Sequence, residues 1–268
     1  MAASLPPVAL LTALVAVGLA CAISDASSLQ VGFYKGKCGM LNVESIIRGV
    51  VTIKYYQDPT IVPALLRLQF HDCFVNGRGA RYEVETGRRD GKVSLASNVN
   101  LPSPFLTVSE TISAFKKKGL SPTDMVYLFG AHTVGITHCS LIRNRLYNFK
   151  GTGQPDPTMG PSLLAALKTK CPQNATTTTD NPVFLDQNPS STNVVDNSYY
   201  KQILMKRGVL QIDQELALDP ATRPTVSYIA GGFGFPTQFG AAMVKLGAVE
   251  VLTGSQGEIR RSCRKVNA

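Results

Sequence analysis

Residues 128–139 read LFGAHTVGITHC, and residues 65–77 read LLRLQFHDCFVNG. Each stretch sets one histidine at the end of a helical pattern, in a chain that has only three histidines. In the earlier stretch Arg67 precedes His71 by four residues, and positions i and i+4 share a helix face. Arg67 and His71 can therefore point into one cavity, a base beside a fixed cation. In the later stretch His132 has the setting of a metal ligand.

Working outward, the pattern is helical. Val43, Ile46, Ile47, Val50 and Val51 follow the spacing of a buried stripe, Asn42 can cap it, and Asp58-Pro59 ends it, which predicts a helix over 42–56. A second helix, 62–74, carries Arg67 and His71. Thr107 and Glu110 form a capping box ahead of Val108, Ile112 and Phe115; Lys116–Lys118 suit the negative end of that helix and Gly119 stops it. Ser121-Pro122-Thr123-Asp124 opens another helix, which runs into His132. Further helical patterns lie near 162–168, 197–206, 221–229 and 237–246. Residues 75–91 are turn-rich and charged, with a short strand at 81–85. There is no internal repeat and no long linker.

The 268 residues suffice for one large domain or two small ones, and a hydrophobic content of 44% can build a core. Residues 8–20 form an apolar run ending in small residues, which reads as a secretory signal peptide over 1–28 and a mature chain from Leu29. The run is too short to span a membrane, and no other stretch is long enough. A lumenal route agrees with the N-glycosylation sequon at Asn174-Ala175-Thr176. The net charge of +9 fits a soluble basic surface or retention on a polyanionic matrix such as a cell wall. Without a basic-aromatic stripe or a zinc pattern, nucleic acid is not an expected partner. Loss of Cys21 with the leader leaves Cys38, Cys73, Cys139, Cys171 and Cys263, an odd count that leaves a thiol over.

Residues 65–77 resemble the distal haem motif of the plant secretory (class III) peroxidases, and 128–139 resemble their proximal motif. VVDNSYYKQILMKRGVLQIDQEL and VLTGSQGEIRRSCRKVN are similar to later family segments. The resemblance covers nearly all of 29–268. It implies an all-α haem peroxidase fold of two helical lobes around haem b, and oxidation of phenolic donors by hydrogen peroxide, in a secreted protein of the cell wall or extracellular space, with the vacuole as the other destination. A monomer is expected. By this resemblance His132 binds the iron, Asp213 accepts its other ring N–H, His71 moves the peroxide proton, Arg67 stabilises the developing charge, Phe70 walls the pocket and Pro102 lines donor access. It also implies a proximal calcium site from Thr133, Asp186, Val194 and Asp196, with the middle ligand open among Ser190, Ser191 and Thr192 and Ser191 preferred. Cys139 and Cys171 are implied to pair. Read alone, Asp213 would be an ordinary helix cap and Pro102 loop punctuation.

The sequence also departs from the family. Asn76-Gly77 runs through 78–81 directly into Tyr82-Glu83-Val84, a segment that the family places two helices later. Roughly 60–70 residues are absent on the length scale of such domains. The family partners of Cys38, Cys73 and Cys263 belong to the absent stretch, and Asp72, Val75 and Gly77 are what remains of a distal calcium site. The asparagine that orients the distal histidine is missing too. The expectation is therefore a peroxidase with part of its distal lobe removed and its activity impaired. The alternatives are a haem-binding remnant without catalysis and a basic cell-wall glycoprotein.

Overall fold

The capping signals read from the sequence take up their geometry directly. The computed structural model describes residues 29–58, 61, 82–93, 95–98, 101–174, 180–232, 234–262 and 264–267. The leader, the expected helix 62–74 with Arg67, Phe70, His71, Asp72 and Cys73, and also Val75, Gly77 and Cys263, lie outside the described residues. The chain divides into two compact units.

The first unit draws on the stretch ending at Gln57, on Glu83–Asn100 and on the stretch from Glu250 onward. Strand β1 (Gln30–Val31) precedes helix α1 (Val43–Gln57) and pairs antiparallel with β2 (Glu85–Thr86), Gln30 opposite Thr86 and Val31 opposite Glu85. The strand expected at 81–85 thus forms a few residues later. Asn42 caps α1, its Oδ1 accepting the Ser45 N–H at 2.9 Å. Glu44 ties the helix to the ribbon by accepting the Thr86 hydroxyl at 3.0 Å. Only Val43 is fully buried on α1, while Ile46, Ile47, Val50 and Val51 are half-buried. Residues 89–91 are laced to the C-terminal segment. Asp90 and Glu258 exchange backbone hydrogen bonds at 2.8 and 2.9 Å, and Arg89 N–H donates to the Leu252 carbonyl at 2.9 Å. Gly257 makes this possible, since its φ is +58° and a Cβ there would strike the Asp90 carbonyl. Cys38 is buried and disulfide-bonded. It is therefore not the thiol left over from the odd cysteine count.

The second unit includes Leu101–Val249 and is helical. Helix α2 (Val108–Lys117) begins with the Thr107/Glu110 capping box, and α3 (Pro122–Phe129) with a second box between Ser121 and Asp124. A 3₁₀ turn, Gly130–Thr133, continues α3. Then follow β3 (Ile136–His138), α4 (Cys139–Tyr147), α5 (Pro161–Lys170), β4 (Pro182–Phe184), α6 (Ser198–Leu204), α7 (Gln211–Leu218), α8 (Arg223–Ala230) and α9 (Phe235–Gly247). Strands β3 and β4 pair antiparallel, Thr137 opposite Val183. Helices α4 and α5 share an apolar cluster of Ile142, Leu146, Leu163 and Leu167, in which Cys139 and Cys171 are bonded with Cα atoms 5.3 Å apart. Around α3, α6, α8 and α9 a second set, with Met125, Tyr200, Ile203, Ile229 and Phe235, is essentially without exposure. Lys245 on α9 meets Asp124 on α3 at 2.7 Å.

Helices α4 and α7 are the elements that apolar periodicity does not announce. In α4 the buried positions include Arg145, and in α7 they include Asp213 and Gln214. Arg145 is 4% exposed; its Nε donates to Asp156 at 2.6 Å, and its NH1 donates to the carbonyls of Gly208, Val209 and Leu210, which lead into α7. One guanidinium therefore fixes where α7 begins. Breaking a buried pair by removing one partner strands the other charge. Arg145→Met is expected to cost roughly 3–5 kcal/mol of stability, against about 1 kcal/mol for loss of the Ser121 cap in Ser121→Ala. Urea unfolding of the oxidised protein measures both.

Candidate active site

The 3₁₀ turn after α3 can form only because residue 130 lacks a side chain. A Cβ on Gly130 would overlap the Phe235 ring and the Tyr200 hydroxyl. With that close approach allowed, His132 comes to lie beside α7. Its Nδ1 is 2.8 Å from Asp213 Oδ1, and Asp213 is completely buried. A carboxylate acceptor fixes Nδ1 as the protonated nitrogen and leaves Nε2 for a ligand. Phe129 and Tyr199 stand edge-on to the imidazole, with centroids 5.5 and 5.9 Å away. Tyr199 also donates its hydroxyl to Asp213 Oδ1, at 2.9 Å. Burial works to lower the His132 pKa, but the charge and hydrogen bond of Asp213 outweigh it and hold the imidazole above its ordinary 6.5.

The His132 side chain is 28% exposed and lies on the wall of a cavity of about 990 Å³. Val134, Ile136, Leu141 and Phe184 make that wall largely apolar, and Pro104 and Phe105 contribute from the loop before α2. Arg145, Lys150 and Gln211 give it a polar border. Pro102 is exposed and is not among the lining residues; the lining begins two residues further on. His138 is exposed and also reaches the cavity.

A second group of oxygens gathers next to the first. Thr133 Oγ1 lies 3.1 Å from the Val194 carbonyl and 3.2 Å from Asp196 Oδ1. Ser191 donates to Asp186 at 2.9 Å and is buried, whereas Ser190 is exposed, so the structure brings Ser191 to this group. Ser198 joins it, with Oγ 3.3 Å from Asp186 Oδ1 and its N–H on Asp196 at 2.8 Å. Burial first, and then the neighbouring Asp196 charge, push the Asp186 carboxyl above its ordinary range. Two crowded carboxylates with neutral oxygens around them suit a hard cation. Among the described residues no three His, Cys, Asp or Glu side chains cluster; this group has two carboxylates, Asp186 and Asp196, and four neutral oxygens, from Thr133, Ser191, Val194 and Ser198. The two groups interleave along the chain. His132 serves the first and Thr133 the second, while Tyr199 serves the first and Ser198 the second.

The family model described as Peroxidase matches residues 78–232, more than half of the chain. The chain is 41% identical to Peroxidase 60 of Arabidopsis thaliana, over 88% of itself and 89% of that relative. The chain belongs to the plant secretory (class III) peroxidase family. Peroxidase 57 of Arabidopsis thaliana is 38% identical, over 90% and 93% of the two chains, and Peroxidase 5 of Vitis vinifera 35%, over 95% and 96%. The enzyme is thus a peroxidase with the all-α fold of that family, which implies haem as cofactor and hydrogen peroxide with donor molecules as substrates. Among the described residues no helix is long and apolar enough to cross a membrane.

Of the site residues read from the sequence, the structure brings together His132 with Asp213, and Thr133 with Asp186, Ser191, Val194 and Asp196. Arg67, Phe70, His71, Asp72, Val75 and Gly77 lie outside the described residues. Sequence reasoning missed Tyr199, Ser198 and Phe105. A buried tyrosine is suggested by the helical pattern around 197–206, but nothing in that pattern aims its hydroxyl at a carboxylate fourteen residues on.

Asp213→Asn in the apo-protein tests the electrostatics without any cofactor. It leaves burial as the dominant influence, so the His132 pKa should drop from above to below 6.5, as followed by NMR titration of the ring protons. The sign for stability follows. A raised histidine contributes stability below its unfolded pKa and loses it as pH rises through the folded value. The wild type's margin over Asp213→Asn should therefore be largest below about pH 6.5 and shrink above the folded pKa.

Proposed function

We propose that this peroxidase binds haem b through His132 and oxidises phenolic donors with hydrogen peroxide, more slowly than a complete family member. One observation carries the ligand assignment. His132 presents one nitrogen to a roomy apolar cavity while a fully buried carboxylate, 2.8 Å away, holds the other. The residues fit the group, because a neutral imidazole backed by a carboxylate is a strong iron donor and an apolar wall suits a flat macrocycle. When bound there, haem would supply a redox centre that gives two electrons to the peroxide and recovers them one at a time from donor molecules. The rest of the chemistry belongs to side chains. His71 takes the proton of the peroxide and returns it to the departing oxygen. Arg67 offsets the negative charge that develops there, and Phe70 keeps water from that space. Pro104 and Phe105 line the cavity near the Pro102 that the resemblance points to, which supports reading them as its donor-side wall.

Thr133, Asp186, Ser191, Val194 and Asp196 are proposed to hold calcium, and Asp72, Val75 and Gly77 to be the incomplete remainder of a distal calcium site. Secretion after removal of 1–28, with glycosylation at the exposed Asn174, agrees with the Cys139–Cys171 bond, since such bonds persist in oxidising compartments. Exposed Arg261, Arg264 and Lys265 offer cations to a polyanionic wall.

Three observations support an internal deletion near 78–81. The alignment with Peroxidase 60 spans 299 positions but 88% of this chain's 268 residues, about 236, so about 63 positions face gaps in this chain. The family match begins at residue 78, at the junction. The apolar stripe of α1 is only half covered. The absent stretch would include the asparagine that orients His71. A misplacement of ~1 Å can cost on the order of a hundredfold in rate.

Two measurements test the proposal. The mature chain folded with haem should show a Soret band that His132→Ala abolishes and His138→Ala keeps; equal loss in both would overturn the ligand assignment. Stopped-flow mixing with hydrogen peroxide should then change the Soret band at least tenfold more slowly than in Peroxidase 60 of Arabidopsis thaliana. An equal rate would show the absent segment to be dispensable. A Soret band with no peroxide response would instead identify a haem-binding remnant.

A further inference from the structure

Among the described residues, two donors reach Asp213, and both end on the same oxygen. His132 Nδ1 lies 2.8 Å from Oδ1 and the Tyr199 hydroxyl 2.9 Å from it, while Oδ2 is buried with no hydrogen-bond partner. A carboxylate in so dry a setting depends on each donor it has. Tyr199 is 1% exposed, so its hydroxyl cannot exchange this acceptor for bulk water, and its ring is held edge-on to the imidazole at 89°. A hydroxyl bound to a carboxylate stabilises the anion and draws charge away from Oδ1. Whatever Tyr199 draws, His132 N–H no longer feels.

We infer that Tyr199 is a positioning residue that limits how far Asp213 pulls the Nδ1 proton of His132, and so sets the electron-donating strength of His132 as an iron ligand. This rests on the haem reading for its iron measurements and deepens it. Without the hydroxyl the carboxylate has one donor left. The N–H···O bond tightens, the imidazole gains imidazolate character, and the ferric state is favoured over the ferrous. The plainer possibility is that a buried tyrosine has merely found an acceptor. In that case removing its hydroxyl would affect packing alone.

Tyr199→Phe keeps the ring and removes the hydroxyl. Tyr200→Phe is the matched control, because Tyr200 is equally buried but donates to the carbonyls of Val126 and Tyr127, at 2.8 and 3.3 Å. In the haem-loaded full chain, Tyr199→Phe should shift the ferric/ferrous equilibrium at least tenfold toward ferric, a midpoint about 59 mV more negative. The iron–histidine stretching frequency should rise as well, and Tyr200→Phe should move neither. In the apo-protein, the His132 Nδ1 proton resonance should move downfield in Tyr199→Phe only. Should the wild type take up no haem, the haem reading fails by itself, and the apo resonance still decides the role of Tyr199. Should Tyr199→Phe fail to fold, 3,5-difluorotyrosine at position 199, a stronger donor, must move both quantities the opposite way. An unchanged midpoint and resonance in Tyr199→Phe, or equal shifts in Tyr200→Phe, overturns the inference.

Discussion

A carboxylate with no solvent exposure is costly to keep charged, and the second unit is organised around keeping Asp213 in place. Its position is fixed at a distance, by Arg145, which collects the carbonyls ahead of α7, and by Asp156, which neutralises Arg145. Its charge is met by His132 and Tyr199 on a single oxygen. His132 in turn reaches it only because Gly130 lets the chain pass against Phe235 and Tyr200. The order of dependence runs from ordinary packing to one hydrogen bond of 2.8 Å, and that bond gives the imidazole its chemical character.

How much of this was legible in the sequence depends on the kind of physics involved. Local rules read well. The two capping boxes, Pro122 at a helix start and the apolar spacing before His132 are short-range, and they appear as expected. The partnership of His132 with Asp213 spans 81 residues and no periodicity contains it; family resemblance supplied it. Helices α4 and α7 were hidden because their buried faces carry Arg145, Asp213 and Gln214, polar residues that a hydropathy pattern assigns to solvent. Tyr199 was hidden for a different reason. Its burial is readable, but the direction of its hydroxyl is a property of the fold. Ser191 illustrates a partial reading, since the residue types named three candidate oxygens and only burial distinguishes among them.

The first unit sets two kinds of contact side by side. The lacing of 89–91 to 252–260 uses backbone groups, which any sequence of suitable φ provides, and Gly257 meets the one steric demand. The α1 stripe shows the opposite behaviour. Ile46, Ile47, Val50 and Val51 are apolar yet only half-buried. Backbone pairing tolerates a change of partner, but complementary packing does not.

His132 and Thr133 are consecutive, and so are Ser198 and Tyr199; in each pair one residue serves the histidine–carboxylate group and the other the oxygen-rich group. Two peptide bonds thereby lock the registers of both groups together. For protein engineering this means that neither group can be transplanted alone. A graft must carry the turn 130–133 and the segment from Asp186 to Asp213 as one cassette, with Gly130 and the bulk of Tyr200 and Phe235 included. For molecular evolution it means that a one-residue insertion at either pair would disrupt both groups together, whereas an excision elsewhere in the gene leaves the cassette whole. The deletion proposed near 78–81 falls outside both segments of this cassette.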